Sequence, residues 1–299
     1  MRASCLFFLL VPLGAGCSDE PSPFQREDAN VTLDATQLDA GDAEAPDVTE
    51  PVDRPPIPIR DTGGASDMVL VYAHSDTTLY TVDPRNNNRV TTVGNFVFPR
   101  DNQNHTMTDI AVDAEARLVG VTHDALYSID PTNARCTLVH DLPDGHIFVG
   151  LTWLPRGALD PNAEVLLGGA TDGTLWRINP DTGRAASAGR LSTGWGVSGD
   201  IVSIEGAGTF VTIRRTTGSS TTDTLATWDP RTGRTTHLGE VGFPSLYGLG
   251  YWRSTLYGFA RTGAMISINV STGRGTRLSM PAMEFSGAGV TTVAPVAPP

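Results

Sequence analysis

The sequence predicts an all-β protein in which one unit of short strands recurs five times. Runs of alternating apolar residues recur along the chain, as in "TLYTV" at 78–82 and "TLWRI" at 174–178, and such period-two runs rich in Thr, Val, Ile and aromatic residues are typical of strands. A similar turn sequence follows each run, most completely in "INPDTGR" at 178–184. Another strand-like run follows each turn, so the repeated turn joins two neighbouring strands.

The residues of the turn indicate a hairpin. Its five copies begin at Asp83, Asp130, Asn179, Asp229 and Asn269. An Asp or Asn at this position can accept a hydrogen bond from the backbone two residues on, and the Pro that follows in the first four copies sets φ for a type I turn. Gly183, Gly233 and Gly273 supply a positive φ, whereas the second copy has Ala134 at that place. This variation in sequence between the copies favours a structural turn over a phosphate- or metal-binding loop that is used five times.

The spacing of the turns predicts the architecture. Successive copies are 47, 49, 50 and 40 residues apart, and a period of this length built from short strands is typical of β-propeller blades. The first unit lacks an inner strand, and "FSGAGVTTVA" at 285–294 reads as an inner strand with nothing after it. We therefore expect five four-stranded blades over residues 67–294, closed by the C-terminal strand in the N-terminal blade, with a tail at 295–299. Closure removes free sheet edges.

The strand-turn segments "LYTVDP", "LWRINPDTGR" and "ATWDPRTGR" resemble the repeats of quinoprotein-like and NHL-like bacterial propellers over the whole domain. The resemblance implies the fold and not an activity. The quinoprotein repeat ends in Trp, where this chain has Ala188, Leu238 and Leu278 or their neighbours. Five blades are also too few for that enzyme class, so we expect no quinone and no other cofactor.

Residues 1–16 are typical of a secretory signal, with Arg2, an apolar run at 6–13 and small residues after it. The run is too short to remain as a membrane-spanning helix. The segment from Gly14 to Cys17 resembles a lipobox, which implies cleavage before Cys17 and its diacylation, although Gly14 stands where that family has Leu. Cleavage by a general signal peptidase is the alternative. Ser18 after the cysteine favours, by resemblance, the outer membrane over the inner one, with the side of exposure open.

Residues 17–66 are predicted to be a disordered tether that is rich in acids and Pro. Positions 18–66 hold 12 acidic residues and three Arg, a net charge of −9 out of −12 for the chain. Such a segment cannot bury enough apolar surface to offset the entropy lost on ordering. We expect it to hold the folded domain away from the membrane.

Composition excludes several classes of function. The chain has 21 Arg and no Lys, which excludes lysine nucleophiles and Schiff bases. No clustered positive charge suits a nucleic acid. Cys136 is the one cysteine beyond residue 17, so the domain has no disulfide framework. No metal-ligand spacing of His or Cys and no nucleophile-elbow motif is present.

Two inner strands begin with an acid. Asp109 and Asp200 occupy matching positions, filled by Gly150, Gly248 and Gly287 in the other units. Because inner strands line the channel of a propeller, these carboxylates are weak candidates for holding a cation; hydrated channel walls are the alternative.

Loops that join the blades are expected to share one face with the loops after each second strand. His74 and His123, which end second strands, would give this face a polar rim, or simply reflect a shared loop chemistry. The face also carries the candidate binding residues, which are Phe96, Phe98, Arg100, His105, Phe148, Trp195 and Phe243. Exposed aromatic rings with Arg are typical of recognition surfaces; the alternative is that these rings cap the core.

The sequence thus favours a lipid-anchored protein of the cell envelope whose monomeric propeller binds a protein or glycan through its loop-rich face. A polysaccharide hydrolase or lyase with acids at the channel mouth is the alternative, and a purely structural envelope protein is the third reading. Enzyme activity is left open, with binding favoured.

Overall fold

A computed structural model describes residues 71–99, 106–142, 147–218 and 221–297 of the chain. The expectations for residues 1–66, including lipidation of Cys17, lie outside these residues, as do Arg100 and His105. The described residues contain strands and turns without a helix, so none of them forms a helix that could cross a membrane.

Twenty strands form the described structure. In chain order they are β1 (Val71–His74), β2 (Thr78–Asp83), β3 (Arg89–Asn95), β4 (Asp109–Val112), β5 (Leu118–Val121), β6 (Ala125–Ile129), β7 (Cys136–Asp141), β8 (Gly150–Leu154), β9 (Val165–Gly169), β10 (Thr174–Ile178), β11 (Ala185–Arg190), β12 (Trp195–Ile204), β13 (Gly208–Arg215), β14 (Thr224–Trp228), β15 (Thr235–Glu240), β16 (Leu246–Trp252), β17 (Thr255–Ala260), β18 (Met265–Ile268), β19 (Gly275–Ser279) and β20 (Gly287–Gly289).

The strands form five antiparallel four-stranded sheets, which are the blades of a five-bladed β-propeller. Blade 1 has the order β20-β1-β2-β3, and blades 2 to 5 comprise β4–β7, β8–β11, β12–β15 and β16–β19. The five inner strands contact one another in the cycle β20, β4, β8, β12, β16 and back to β20. The all-β propeller, its five blades and its closure by the C-terminal strand are confirmed.

The repeated turn has the structure that its residues predicted. In all five copies the side-chain oxygen of the opening Asp or Asn accepts a hydrogen bond from the backbone N–H two residues later, at 2.8–3.0 Å. Gly183, Gly233 and Gly273 have φ of 65°, 70° and 73°. Ala134 takes the same conformation at φ 59°, at the steric cost that a Cβ brings to this region.

The core lies between neighbouring sheets, where the blades pack face to face. Phe148 fills the space between blades 2 and 3. It belongs to a buried cluster with Val121 and Leu126 of blade 2, and a Cβ on Gly168 of blade 3 would lie 2.6 Å from its ring. Phe285 precedes β20 and packs edge-on against Phe259 of blade 5 and Tyr80 of blade 1, at 5.3 and 6.2 Å between ring centroids. Phe285 and β20 therefore close the ring through apolar contacts as well as through strand pairing.

Candidate functional site

The strand order determines which loops share a face. In an antiparallel four-stranded blade, the start of the inner strand lies beside the end of the second strand and the start of the third. The connections between blades and the loops after second strands therefore emerge together. We call this side the loop-rich face; the repeated hairpin turns lie on the opposite side.

The candidate aromatic residues on this face divide by burial. Phe148 is fully buried and Phe96 is 8% exposed, so at these two positions the rings belong to the core. Phe98 is partly buried against Tyr127, with ring centroids 5.1 Å apart, and Phe243 packs partly buried against the core shared by blades 4, 5 and 1. Trp195 is also partly exposed, and it differs from the phenylalanines in having polar neighbours.

Trp195 lies at the start of β12 between a cation and an imidazole. It pairs with Arg215 across β12 and β13, and the guanidinium carbon of Arg215 lies 4.4 Å from the centre of the indole ring. The ring of His237 on β15 meets the indole edge-on, with centroids 4.4 Å apart. We call these three residues the Trp195 cluster. Trp195 was predicted from the sequence as a binding residue, whereas Arg215 and His237 were not, because their proximity to Trp195 depends on strand register within blade 4.

Arg215 and His237 are exposed, and Arg215 gives the Trp195 cluster a positive charge. Arg215 forms no ion pair with an acid among the described residues, whereas its neighbour Arg214 donates to Asp223 at 2.7 Å. Partial burial, and then the charge of Arg215, lower the pKa of His237. The cluster therefore offers an aromatic face, an imidazole, and a guanidinium that has no ion-pair partner among the described residues.

Asp109 and Asp200 meet at the centre of the ring, and both are fully buried instead of facing solvent in the channel. Asp109 accepts hydrogen bonds from the N–H of Ile110 at 2.9 Å and, in blade 3, of Leu151 at 2.6 Å. This carboxyl thus joins blade 2 to blade 3.

Asp200 accepts hydrogen bonds from the N–H of Ile201 at 2.5 Å and from Leu249 of blade 5, also at 2.5 Å. Burial raises the pKa of Asp200 to about 8. Burial, and then the charge of Asp200, raise the pKa of Asp109 well above its ordinary value. The N–H of Leu151 faces both carboxyls, so the two side chains lie next to each other.

His74 completes this central group, although His123 does not. His74 is fully buried at the end of β1, and its Nε2 lies 3.8 Å from Asp109 Oδ1. His123 is exposed and lies beyond the end of β5, so the two histidines are not equivalent in the structure. Because the position of His74 corresponds in strand pairing to apolar Val121 and Phe259, the repeat pattern gave no signal that it would reach the centre.

The tautomer of His74 follows from its contacts. Nδ1 lies 2.8 Å from the carbonyl oxygen of Ser75, which can only accept, so Nδ1 carries the hydrogen. Burial lowers the pKa of His74 to about 4, which leaves Nε2 unprotonated at neutral pH. This nitrogen has no hydrogen-bond partner among the described residues.

No group of three or more His, Cys, Asp or Glu side chains in the described ranges could hold a metal ion. A shallow pocket of about 270 Å³ lies on the hairpin side of blade 3, where its lining includes Glu164, Arg177 and Arg184. Two of these residues already have partners within the protein. Arg177 pairs with Asp160 at 3.1 Å, and Glu164 accepts a hydrogen bond from Thr292 at 2.5 Å.

Comparison with known proteins returned structures and no family. No protein-family profile matches the chain, and no curated protein matches it. Among solved structures it is similar to a symmetrical protein from a study of de novo evolutionary emergence, at 17% identity over 77% of this chain and 100% of that one, with a TM-score of 0.47. An oligogalacturonate lyase in complex with manganese aligns at 14% identity over 72% and 62% of the two chains, with a TM-score of 0.38. A protein of unknown function from Bacteroides caccae aligns at 9% identity over 70% and 72%, with a TM-score of 0.42. The strand pairing of this chain, and not these similarities, defines the five-bladed propeller.

Proposed function

We propose that this protein is a binding module that recognises a protein or glycan through the Trp195 cluster on its loop-rich face. The observation that carries the proposal is the contact between the partly exposed indole of Trp195 and the guanidinium of Arg215, which forms no ion pair with any of the described residues. Trp and Arg are the side chains most enriched among residues that dominate binding energy. An indole supplies a large rigid surface, and an unpaired guanidinium supplies directional donors.

The charge of the Trp195 cluster indicates the polarity of the partner. Arg215 lacks an acid to neutralise it among the described residues, although the chain as a whole is acidic at −12. A partner with carboxylate or other anionic groups would supply the missing charge and could bind the guanidinium in a bidentate manner. An anionic glycan or an acidic peptide segment fits this surface better than a neutral ligand.

The burial of the central acids supports binding over polysaccharide hydrolysis or lysis. A catalytic carboxyl has to reach within hydrogen-bond distance of the substrate. Asp109 and Asp200 are fully buried, and their oxygens accept backbone hydrogen bonds that hold neighbouring blades together. We assign these two carboxyls to the scaffold.

Anchorage of the binding module in the cell envelope is a second part of the proposal. It rests on the signal-like residues 1–16, the lipobox-like segment that ends at Cys17, and the acidic tether at 17–66. Cleavage before Cys17 and diacylation of this residue would anchor the propeller to a membrane. We favour the outer membrane over the inner one. Metabolic labelling with a fatty acid should modify the full chain and leave a Cys17→Ala variant unlabelled; labelling of both, or of neither, would contradict lipidation.

The binding proposal is tested by comparing two Trp–Arg pairs on opposite sides of the propeller. Trp252 ends β16 on the hairpin side, and Arg253 stacks over it with its guanidinium carbon 4.8 Å from the ring centre. Trp252→Ala is therefore the matched control for Trp195→Ala. Arg215→Gln tests the charge of the cluster while keeping most of the side chain.

The measurement is crosslinking and co-purification of the full chain on intact envelopes, together with affinity electrophoresis through gels that contain polygalacturonate or neutral dextran. We expect Trp195→Ala and Arg215→Gln to weaken capture at least tenfold and Trp252→Ala to leave it unchanged. Equal capture by all variants would place the binding surface elsewhere. Loss only in Trp252→Ala would move the surface to the hairpin side.

A further inference from the structure

Four carboxyl oxygens converge at the centre of the ring. The oxygens of Asp109 and Asp200 accept backbone N–H groups from blades 2, 3, 4 and 5. The N–H of Leu151 faces both carboxyls, which places the two side chains next to each other. A carboxylate can only accept hydrogen bonds, so two adjacent carboxyls can bond to each other only if one of them is protonated.

No neighbouring side chain can replace that proton. His74 approaches from blade 1, but its Nε2 is an acceptor and lies 3.8 Å from Asp109 Oδ1. The central residues of β20, β8 and β16 that pack around the pair carry no titratable group: Gly287, Gly150 and Gly248 stand at the matching positions. On β13, Thr212 donates to the carbonyl oxygen of Asp200 and not to its carboxyl group.

The charged groups that lie further from the Asp109–Asp200 pair already form ion pairs and hydrogen bonds with one another. Asp76, next to His74, accepts hydrogen bonds from Arg261 and Ser286, and Arg261 also contacts Glu284. The buried Asp223 of blade 4 accepts from Arg214. Among the described residues, no cation is therefore in contact with the Asp109–Asp200 pair to compensate two negative charges.

We propose that Asp109 and Asp200 share one proton across the centre of the propeller, and that this proton is required for the closed packing of the inner strands. Loss of the proton would place two like charges in contact in a fully buried site. Each charge could be relieved only by moving its blade away from the other. The ring is thus a pH-sensitive closure that loosens under alkaline conditions.

The direction of the pH effect follows from the bound protons. Unfolded Asp titrates near 3.8 and the folded pair retains its shared proton up to about pH 8, so the folded state binds more protons and loses stability as pH rises. His74 acts oppositely between about 4 and 6.5, where the unfolded chain binds the additional proton. The pair therefore dominates between pH 6.5 and 8, where the one retained proton makes the folding equilibrium constant fall roughly tenfold for each unit that the pH rises.

The experiment measures chemical unfolding of the full chain from pH 6 to 9 in the wild type and in Asp109→Asn, Asp200→Asn and Asp223→Asn. An amide can donate to the remaining carboxylate without a shared proton, so we expect either central variant to remove most of the fall between pH 6.5 and 8. The amide also loses one acceptor for a backbone N–H, so the slope with pH, not the absolute stability, is the readout. Asp223 is the matched control, because it is equally buried and accepts the N–H of Leu246 at 2.9 Å but is paired with Arg214. Its variant should keep the wild-type slope.

Infrared spectroscopy of the wild type gives a test that does not depend on a folded variant. A protonated carboxyl band should persist in the folded protein at pH 7 and disappear as pH rises past about 8. Absence of that band at pH 7, or an unchanged slope in both central variants, would overturn the proposal. A slope that is abolished in the wild type by Ca²⁺ or Mg²⁺ and restored by chelation would also overturn it, since a cation and not a proton would then neutralise the pair.

Discussion

Gly287 lies directly opposite His74 in the pairing of β20 with β1, and a Cβ at position 287 would lie 2.2 Å from His74 Nε2 and 2.5 Å from Asp109 Oδ1. The closing strand thus passes the central polar group at a distance that only a glycine permits. Closure of the ring and burial of its polar centre depend on the same residue.

Replacement of Gly287 by Ala should therefore destabilise the protein by about 1–3 kcal/mol, because the methyl group must displace buried side chains. Gly94→Ala is the control, since the nearest atom to its added Cβ is a carbonyl oxygen at 3.4 Å, an ordinary contact. We expect the control to change stability by about 0.5 kcal/mol or less. Equal effects of the two substitutions in urea unfolding would show that the centre has room to adjust.

Removal of residues 285–299 should abolish cooperative unfolding. It deletes the fully buried Phe285 and the inner strand β20, so blade 1 would keep three strands and two blades would expose their contact surfaces. Circular dichroism during heating and limited proteolysis measure the loss. Removal of Pro298 and Pro299 alone is the control and should leave a sharp transition. A cooperative transition in the longer truncation would mean that the ring does not need its C-terminal strand.

The repeated turns allow backbone strain to be separated from steric contact. Gly183 and Gly233 have nearly the same φ, at 65° and 70°. A Cβ on Gly233 would meet nothing within 4 Å, whereas a Cβ on Gly183 would lie 2.8 Å from the Cβ of His140. We expect Gly233→Ala to cost about 1 kcal/mol through conformation alone. Gly183→Ala should cost about 1–3 kcal/mol more, because the added methyl group is overpacked against its neighbour.

Thermal or urea unfolding of both turn variants measures this difference. The result contradicts the structure if Gly183→Ala is the milder change. A cost near zero for Gly233→Ala would mean that the turn relaxes out of the left-handed region.

Cys136 should resist alkylation in the folded protein. Burial raises the pKa of its thiol to about 12, so at pH 8 roughly one molecule in ten thousand carries the reactive thiolate. Mass spectrometry of the Cys136 peptide after iodoacetamide treatment should show slow labelling in buffer and rapid labelling in urea. The native rate should rise with pH up to the limit set by unfolding. Rapid labelling of the native protein at pH 8 would contradict the burial of this side chain.

Much of the fold was predictable because its signals are local. The residues of "INPDTGR" form a turn through contacts within seven positions, so the conformation at Asn179 and Gly183 is determined by residues close in sequence. Recurrence of that turn at a nearly constant period then indicated blades, and the unpaired run at 285–294 indicated how the ring closes. Each of these inferences uses neighbours in sequence.

The candidate site was predictable only in part, since its members lie far apart in the chain. Trp195 was identified as a loop aromatic, but its contacts with Arg215 and His237 arise from register across blade 4. Phe148 has the same chemical character as an exposed ring, and its burial depends on Gly168 of a neighbouring strand. Composition alone does not distinguish the two cases.

The sequence by itself determined the strands, the turns, the five-fold repetition and the closing strand, because alternation and turn chemistry act over a few residues. The tertiary structure decided that Asp109 and Asp200 are buried partners of each other, that His74 joins them, and that Arg215 meets Trp195. These outcomes depend on which blades become neighbours when the ring closes. Burial and the proximity of charge, which set the pKa values of these groups, exist only after that closure.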